Sequence, residues 1–564
     1  MKVYKSPAKD INLPELDVLT FLFESKSVLA KEDTVLHVEA ANPKNSITKA
    51  EARELTKHMS HVLRTKYGIG ANGPSKDIVL CVVNGNPMDP LLFYSTLGAG
   101  GIWSGASTAF TVPELVRQIK DADAKLLMCT AEYEENMVAA AKQCGIPLDR
   151  ILRVDPSTPK DWKLINLKDG KNVLDPVNGG KLEWQRLTTK EECHKTTGCL
   201  LYSSGTTGLP KGVRLSHWNL MACNPICMSV ADNYRARCKQ EGREFVWNVI
   251  AHLPMAHIAG IAWYSMNPFF MGGTCYWMPK YDFDGFIENN RKYRTTIVMT
   301  VPPIWLQIAK SPKVTDHFDS VEAAATGAAP MGMELAKDVQ KKIGKGKVRP
   351  AQCWGTTETT GSMTGNNFGE LDETFSVGSI FPNLQLRLVD DNDQDVKEGE
   401  PGELLVKGPV VFQEYHNRPE ATRDAFLDGW YRTGDVGIFK DGLNYIVDRK
   451  KELIKYKGLQ VAPAELEDTL LAHPEVADAA VIGVQDEAAG EVPRGYVVRA
   501  ANSKVTEKEI QEFFKKNLAQ HKQLRGGVVF INEIPKSPSG KILRKNIRQW
   551  VADEQAAGRS KARL

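Results

Sequence analysis

The segment Tyr202–Lys211 most constrains how this chain can fold and what it can bind. It reads Tyr-Ser-Ser-Gly-Thr-Thr-Gly-Leu-Pro-Lys, so one loop combines many backbone N–H groups, several hydroxyls and an ammonium. That combination suits a polyphosphate. It is not the usual P-loop, because Pro210 precedes the lysine and Gly212 follows it, where a P-loop has Gly-Lys-[Ser/Thr]. The segment therefore favours a polyphosphate ligand and argues against transfer of the γ-phosphoryl group.

The flanks of this segment predict where it lies in the fold. Gly198–Tyr202 is a short apolar run typical of a buried strand, and Ser216 is suited to cap a helix that runs through Leu220. Open α/β sheets bind their ligands at strand ends. A flexible Ser/Thr/Gly linker is the alternative, but linkers rarely carry an apolar strand on one side and Pro-Lys-Gly on the other.

Length and charge restrict the class of protein. A chain of 564 residues predicts more than one domain, and its net charge of +3 is too small to indicate nucleic-acid binding. We find no apolar run long enough to span a bilayer. The ten cysteines are scattered without zinc-ligand spacing, so buried free thiols in a reducing compartment are expected.

The hydrophobic pattern predicts layered α/β architecture with a largely parallel sheet. Strands are expected at Ile78–Val83, Leu126–Cys129, Ile151–Val154 and Thr295–Met299, with a helix at Val112–Lys120. From about Val377, short β-rich pieces alternate with turns and predict a small antiparallel subdomain. We place a domain boundary after Asp448, which leaves residues 1–448 as a large N-terminal domain and 449–564 as a small α+β domain.

The second domain is basic. It carries 21 Lys and Arg against 15 Asp and Glu, while the rest of the chain is slightly acidic. An anionic ligand shared between the two parts would explain this asymmetry, and solubility is the alternative explanation.

Two further segments carry groups that a nucleotide needs. In Gln352–Glu358, Trp354 is able to stack on a base, and Glu358 is able to hold Mg²⁺, a hard cation that prefers oxygen ligands. In Tyr431–Asp435, the carboxylate of Asp435 follows a Thr-Gly turn and is able to accept both hydroxyls of a ribose. The alternative for Glu358 is an ordinary exposed glutamate, and the alternative for Asp435 is an Asx turn.

A third segment, Ile534–Lys541, has two prolines that stiffen a loop carrying Lys541 next to Gly540. A compact ammonium on a mobile stem stabilises developing negative charge well. Considered alone, Lys541 would be a solvated surface lysine in most proteins.

The order of these segments resembles the adenylate-forming superfamily of acyl-CoA synthetases, firefly luciferase and peptide-synthetase adenylation domains. The similarity spans roughly Thr196 to Arg544, and Val447–Glu465 and Asp486–Pro493 look most like 4-coumarate–CoA ligases and related acyl-CoA ligases. The resemblance implies activation of a carboxylic acid by ATP as an acyl-AMP with release of pyrophosphate, followed by transfer of the acyl group to CoA. ATP, Mg²⁺ and CoA are the implied cofactor and co-substrates.

The resemblance also implies roles for single residues. It assigns ATP and AMP binding to Ser203, Ser204, Gly205, Thr206, Thr207, Lys211, Gln352, Cys353, Trp354, Gly355, Thr356, Thr357, Asp435, Arg449 and Lys541, and the metal to Glu358. It assigns catalytic roles to Thr207, His257, Lys455 and Lys541, CoA binding to Lys457, Gly458 and Gln460, and the hinge of a mobile C-terminal domain to Lys451. It assigns the acyl pocket to His257, Ala259, Thr326, Gly327, Ala328 and Gly355.

The acyl pocket departs from that of the plant ligases. Ala256 and Ala259 stand where larger, often aromatic residues are common, Thr326 stands in place of Ser, and Trp354 in place of Tyr. Small side chains at 256 and 259 predict a deeper or wider pocket for a bulky aryl or a medium-chain aliphatic acid. Alternatives stay open: an acyl-AMP ligase that loads a carrier-protein thiol, a luciferase-like oxygenase, or a catalytically silent nucleotide-binding protein.

The last three residues, Ala562-Arg563-Leu564, fit the small-basic-Leu pattern related to peroxisomal addressing. They predict recognition by a peroxisomal import receptor. The alternative is a cytoplasmic protein.

Overall fold

The computed structural model describes the chain except for residues 158–160, 176–178, 204–209, 458, 487–488, 538–539 and 562–564. The described part forms a mixed α/β structure with a large N-terminal domain and a smaller C-terminal domain. None of its helices is both long and apolar enough to cross a membrane. The α-helices are Val18–Glu24, Lys49–Tyr67, Asp89–Gly98, Val112–Ala122, Glu134–Gln143, Lys190–Lys195, His217–Met228, Asp232–Gln240, Ile258–Gly260, Asn267–Met271, Phe283–Tyr293, Pro302–Lys310, Met333–Gln340, Pro419–Asp424, Pro463–Leu471, Glu507–Asn517 and Arg544–Lys561.

An eight-stranded sheet organises the first half of the chain. Its spatial order is Glu414–Tyr415, Lys211–Ser216, Thr197–Ser203, Ile102–Gly105, Ile78–Val82, Leu126–Thr130, Ile151–Asp155 and Lys163–Asn166. Five consecutive strands, from Thr197–Ser203 to Ile151–Asp155, run parallel, and the other three pair antiparallel. All residues of Ile78–Val82 are buried, as expected for a parallel strand covered on both faces. The predicted parallel sheet is confirmed.

Two smaller sheets continue the parallel pattern. One has the strands Asn248–Ala251, Thr274–Trp277, Val35–Glu39 and Ser46–Thr48, and the other has Ile297–Thr300, Ala323–Thr326 and Ala351–Gln352. In the second of these, the strand Ala323–Thr326 is wholly buried.

The antiparallel subdomain predicted after Val377 is confirmed. It contains the sheet Gln385–Val389, Pro401–Lys407, Trp430–Lys440, Phe426–Leu427 and Leu443–Arg449, next to a short sheet of Trp354–Thr356, Gly361–Gly365 and Ser379–Ile380. The structure adds an edge strand, Tyr4–Lys5, which pairs with Leu386 and Gln385. A two-residue pairing across nearly four hundred positions leaves no local pattern in the sequence.

The C-terminal domain has its own apolar core under a sheet of Leu459–Val461, Ile454–Tyr456, Gly490–Arg499, Val476–Asp486 and Val528–Phe530. Arg544 makes two hydrogen bonds of 2.6 and 2.7 Å to the carboxylate of the buried Glu467, which ties its last helix to Pro463–Leu471. The strand Leu443–Arg449 extends the N-terminal sheet one residue beyond Asp448. The domain boundary after Asp448 stays a prediction.

Candidate functional site

The hairpin around the Ser/Thr/Gly loop is built as the flanks predict. Thr197–Ser203 and Lys211–Ser216 are antiparallel strands in which Ser203 lies opposite Lys211. Ser216 caps the helix His217–Met228 by accepting a hydrogen bond from Asn219 N at 3.1 Å. The predicted site residues Ser204, Gly205, Thr206 and Thr207 lie outside the described residues, so their roles stay predictions.

Tyr415 links the lysine of this hairpin to the predicted metal ligand. The Lys211 ammonium lies 4.8 Å from the centroid of the Tyr415 ring. The Tyr415 hydroxyl donates to Glu358 Oε1 at 3.0 Å. Burial and the charge of Glu358 raise the pKa of Tyr415, so its hydroxyl stays protonated as a donor. The sequence analysis missed Tyr415, because only its pairing with Val213 brings it here.

Glu358 is a buried carboxylate, 7% exposed, in a 3₁₀ turn that follows the strand Trp354–Thr356. The described residues contain no cluster of three or more His, Cys, Asp or Glu able to hold a metal. A single carboxylate still fits Mg²⁺, which keeps several waters and is often held by one or two carboxylates and substrate phosphates. The donor set is therefore compatible with a magnesium ion that arrives with ATP.

The segment Gln352–Trp354 is held on both sides. The Gln352 side chain accepts from Met331 N at 3.0 Å and donates to Phe375 O at 3.1 Å. Cys353 N donates to Thr326 O at 2.9 Å. These bonds fix the predicted adenine-binding segment against the chain that follows the strand Ala323–Thr326.

The ribose candidate Asp435 is also fixed. The buried indole of Trp354 donates its N–H to Asp435 Oδ2 at 2.8 Å. Arg449 is the cross-strand partner of Asp435, and its Nε lies 3.3 Å from Asp435 Oδ1. An ionised carboxylate offers about four acceptor positions, so room is left for two hydroxyls. Stacking of Trp354 on a base stays a prediction. What the structure adds is a hydrogen bond by which Trp354 orients Asp435.

Lys541 of the C-terminal domain lies at this site. Its pKa is lowered to about 8, first by burial and then by the Arg449 guanidinium, against the opposing charges of Asp435, Glu452 and Glu358. The pKa of His257 is lowered to about 4 by burial and by the Lys541 ammonium. The structure thus brings residues from five segments of the sequence to one place.

The loop that carries Lys541 is held by short-range and interdomain contacts. Ser537 N donates to Lys541 O and Gly540 N donates to Ser537 O, both at 2.8 Å. Gly540 has a φ of +76°, and a Cβ there would lie 3.1 Å from Val301 Cγ2. Glycine therefore allows the loop to turn tightly against Val301 of the N-terminal domain.

Two more contacts join the domains. Lys310 Nζ donates to Val476 O at 2.8 Å. Asp468 of the C-terminal domain faces Gly332, the residue that precedes the helix Met333–Gln340, so closely that a Cβ on Gly332 would overlap its carboxylate. The close approach at Gly332 depends on the absence of a side chain.

Of the predicted acyl-pocket residues, Ala259 contacts His257 directly. The Nδ1 atom of His257 accepts from Ala259 N at 3.2 Å. A helical turn begins directly after His257 and continues as a π-helix over Ile261–Met266. π-Helical turns occur often at functional sites. The buried hydroxyl of Thr326 has no hydrogen-bond partner among the described residues. It is therefore an available donor beside Gly327.

Gly327 and Gly355 allow neighbouring segments to pack closely in this region. A Cβ on Gly327 would lie 3.1 Å from Cys353 Sγ, and one on Gly355 would collide with the carbonyl of Gly361. Cys227, which the sequence analysis did not single out, donates to Ser362 O at 3.4 Å on the strand that pairs with Gly355.

The candidates for the CoA step lie elsewhere. Lys455 is exposed and its N–H donates to Glu491, while Gln460 is its cross-strand partner. Lys457 lies 5.8 Å from the ring of Tyr456, and Gly458 is outside the described residues. The lysine whose charge lowers the pKa of His257 is Lys541, while Lys455 is exposed.

The fold and this site define an adenylate-forming enzyme. The model of the AMP-binding enzyme family matches residues 25–416, and that of its C-terminal domain matches 465–541. The chain belongs to the family of AMP-binding enzymes.

Similar proteins cover nearly the whole chain. A protein named "Putative acyl-coenzyme A synthetase" from Emericella nidulans is 46% identical over 98% of this chain and 99% of its own. The phenylacetyl-CoA ligase epaB of Aspergillus niger is 32% identical over 95% and 97%. The crystal structure of ATP-bound MatB from Rhodopseudomonas palustris superposes with a TM-score of 0.78 at 26% identity, covering 94% and 98%.

The lowered pKa of Lys541 predicts a pH dependence of adenylate formation. The charged ammonium is needed to meet the phosphates, so kcat/KM for ATP should fall as pH rises through about 8. In Lys541→Arg this alkaline limb should disappear below pH ~10, because a guanidinium stays charged. The measurement is pyrophosphate release without CoA, with Lys545→Arg as the matched surface control. An unsubstituted enzyme without an alkaline limb, or an Arg variant that keeps it, would contradict the placement of Lys541.

Proposed function

We propose that this protein, an ATP-dependent acyl-CoA ligase of the AMP-forming type, activates an aryl or medium-chain carboxylic acid. The observation that carries the proposal is the position of Lys541, a largely buried ammonium whose charge acts on His257 and is itself acted on by Arg449 and Asp435. A carboxylate and ATP are both anionic. Positive charge fixed between their sites is what their reaction requires.

In the first step, a carboxylate oxygen of the acid attacks the α-phosphorus of ATP. The bond from that phosphorus to the bridging oxygen breaks, and pyrophosphate leaves with the electron pair. Lys541 stabilises the negative charge that develops on the α-phosphate, and Arg449 adds a second cation. Lys211 faces the β- and γ-phosphates, and Asp435 binds the ribose.

Magnesium belongs to this first step. Glu358 would hold the ion, which would neutralise charge on the phosphates of ATP. The support is the position of the buried Glu358, whose carboxylate accepts a hydrogen bond from the Tyr415 hydroxyl, while the Lys211 ammonium lies over the ring of the same tyrosine.

In the second step, the thiol of CoA loses its proton and attacks the acyl carbon, and AMP leaves. Lys455, Lys457 and Gln460 belong to the exposed hairpin of the C-terminal domain, and we place the CoA path there after a rotation about Lys451. Leu459 in the same hairpin is 50% exposed, as expected for an apolar side chain that is covered in another arrangement.

The acid itself is proposed from the walls of the pocket. Ala256 and Ala259, near His257 in the sequence, have small side chains, and Cys353 and Cys227 add polarisable sulfur near Gly327 and Ser362. Thiols and small apolar groups pack well against an aromatic ring. The phenylacetyl-CoA ligase among the relatives acts on an aryl acid, which supports the same class here.

A panel of carboxylic acids tests the function. We expect pyrophosphate release with phenylacetate-, cinnamate- or octanoate-type acids, at least tenfold above acetate, and conversion to the CoA thioester when CoA is added. EDTA should abolish release if magnesium takes part. Lys541→Ala should lose release by roughly 10²–10³-fold, and Lys545→Ala should retain it.

Each outcome of the panel has a separate meaning. Equal rates with acetate would refute the proposed acid class. Pyrophosphate release without thioester would refute CoA as the acceptor and favour a carrier-protein thiol. No release with any acid would refute adenylation altogether.

We further propose import into peroxisomes through Ala562-Arg563-Leu564, residues that lie outside the described part. A fluorescent protein fused to the N-terminus should give punctate fluorescence that coincides with a peroxisomal marker. The same fusion at the C-terminus should stay cytosolic, because it masks the signal. Punctate import of the masked fusion would contradict the proposal.

A further inference from the structure

Asp121 belongs to none of the segments that build the site, yet it contacts two of them. It is in the last turn of the helix Val112–Ala122. Its side chain is 15% exposed, and it lies between the strand that leads into the Ser/Thr/Gly loop and the segment that follows Tyr415.

Each oxygen of Asp121 has its own partner. The hydroxyl of Tyr202 donates to Asp121 Oδ2 at 2.9 Å. The guanidinium of Arg418 donates to Asp121 Oδ1 and forms an ion pair with it. Burial and the charge of Asp121 raise the pKa of Tyr202, so the tyrosine remains a neutral donor.

Tyr202 connects this carboxylate to the phosphate hairpin. It directly precedes Ser203 and lies opposite Gly212, and a Cβ on Gly212 would come within 3.3 Å of its ring. Its ring also packs against a small apolar cluster that includes Ala122. The contacts of Tyr202 therefore help to fix the end of the strand Thr197–Ser203.

Arg418 connects the same carboxylate to the other side of the site. Arg418 N donates to Tyr415 O at 3.2 Å, and His416 N donates to Gly212 O at 2.7 Å. Tyr415 contacts both Lys211 and Glu358. The Asp121 carboxylate thus contacts Tyr202 directly. Through Arg418 it is also linked to Tyr415, whose ring lies beside the Lys211 ammonium.

We propose that Asp121 is a positioning residue for the β- and γ-phosphates of ATP, acting through Tyr202 and Arg418. The inference rests on the proposed ATP site but not on the identity of the acid. AMP lacks the two outer phosphates, so its binding should not depend on Asp121. This difference separates positioning from a general structural role.

The test compares ATP and AMP binding by isothermal titration calorimetry. In Asp121→Asn, which keeps the shape of the side chain but loses the ion pair, we expect the Kd for ATP to rise roughly tenfold to a hundredfold. The Kd for AMP should stay within about twofold, because AMP has no β- or γ-phosphate for Asp121 to position. Tyr202→Phe, which removes only the hydroxyl donor, should give the same selective loss.

Asp123→Asn is the matched control. It is the same chemical change two residues along the chain and removes only an exposed ion pair with Lys125 of 2.7 Å. Asp123 has a φ of +49°, a conformation that asparagine tolerates. Its affinities for ATP and AMP should both match the unsubstituted protein.

If Asp121→Asn does not fold, Arg418→Met provides a second test. The Arg418 side chain is 48% exposed, so its replacement should not prevent folding. It should weaken ATP binding and spare AMP binding. Equal losses for both nucleotides, or no loss for either, in the folded variants would overturn the positioning role alone. Failure of the unsubstituted protein to bind ATP would overturn the proposed function and this inference together.

Discussion

The ammonium of Lys541, held at a site built by the other domain, is the charge on which the rest of the structure depends. Its burial beside Arg449 lowers its pKa to about 8, which means that the site itself disfavours the charged form of Lys541. Asp435, Glu452 and Glu358 offset part of that effect. ATP would supply the missing negative charge, so the arrangement is prepared for the ligand before it arrives.

The site is assembled from pieces that stabilise one another. Asp435 is oriented by Trp354 and Arg449, Glu358 by Tyr415, and Tyr415 in turn lies under Lys211. Such fixed dipoles and charges need little rearrangement when charge develops during a reaction. In the described part of the chain, Lys455 partners Glu491 and Gln460 rather than residues of this assembly, which fits two half-reactions carried out by different faces of the C-terminal domain.

Local patterns in the sequence predicted much of this structure. The buried strand Ile78–Val82, the cap at Ser216 and the antiparallel subdomain after Val377 follow from apolar periodicity and turn chemistry. Asp435 and Lys541 were found because unusual local composition surrounds each of them. Their meeting followed from the family resemblance, since no spacing rule brings residues about one hundred positions apart together.

The residues that the sequence analysis missed act through long-range contacts. Tyr415 and Asp121 are ordinary in their own segments and matter only because of what lies across the sheet. The edge strand Tyr4–Lys5 is too short to carry a periodic signal. Physical chemistry of a single chain predicts which groups suit a nucleotide, but the pairing of distant elements decides which groups support them.

The most direct test of this account is a substitution that adds a side chain at Gly332, where the two domains meet. In Gly332→Ala the new Cβ would overlap the carboxylate of Asp468, which would have to turn away, so the arrangement that delivers Lys541 should be disfavoured by about 1 kcal/mol. Rapid-quench measurements should then show adenylate formation slowed roughly fivefold, while thioester formation from supplied acyl-AMP is unchanged. Adding Asp468→Ala should restore the first rate. Equal slowing of both half-reactions, or no slowing of adenylate formation, would contradict the central role of the Lys541 placement.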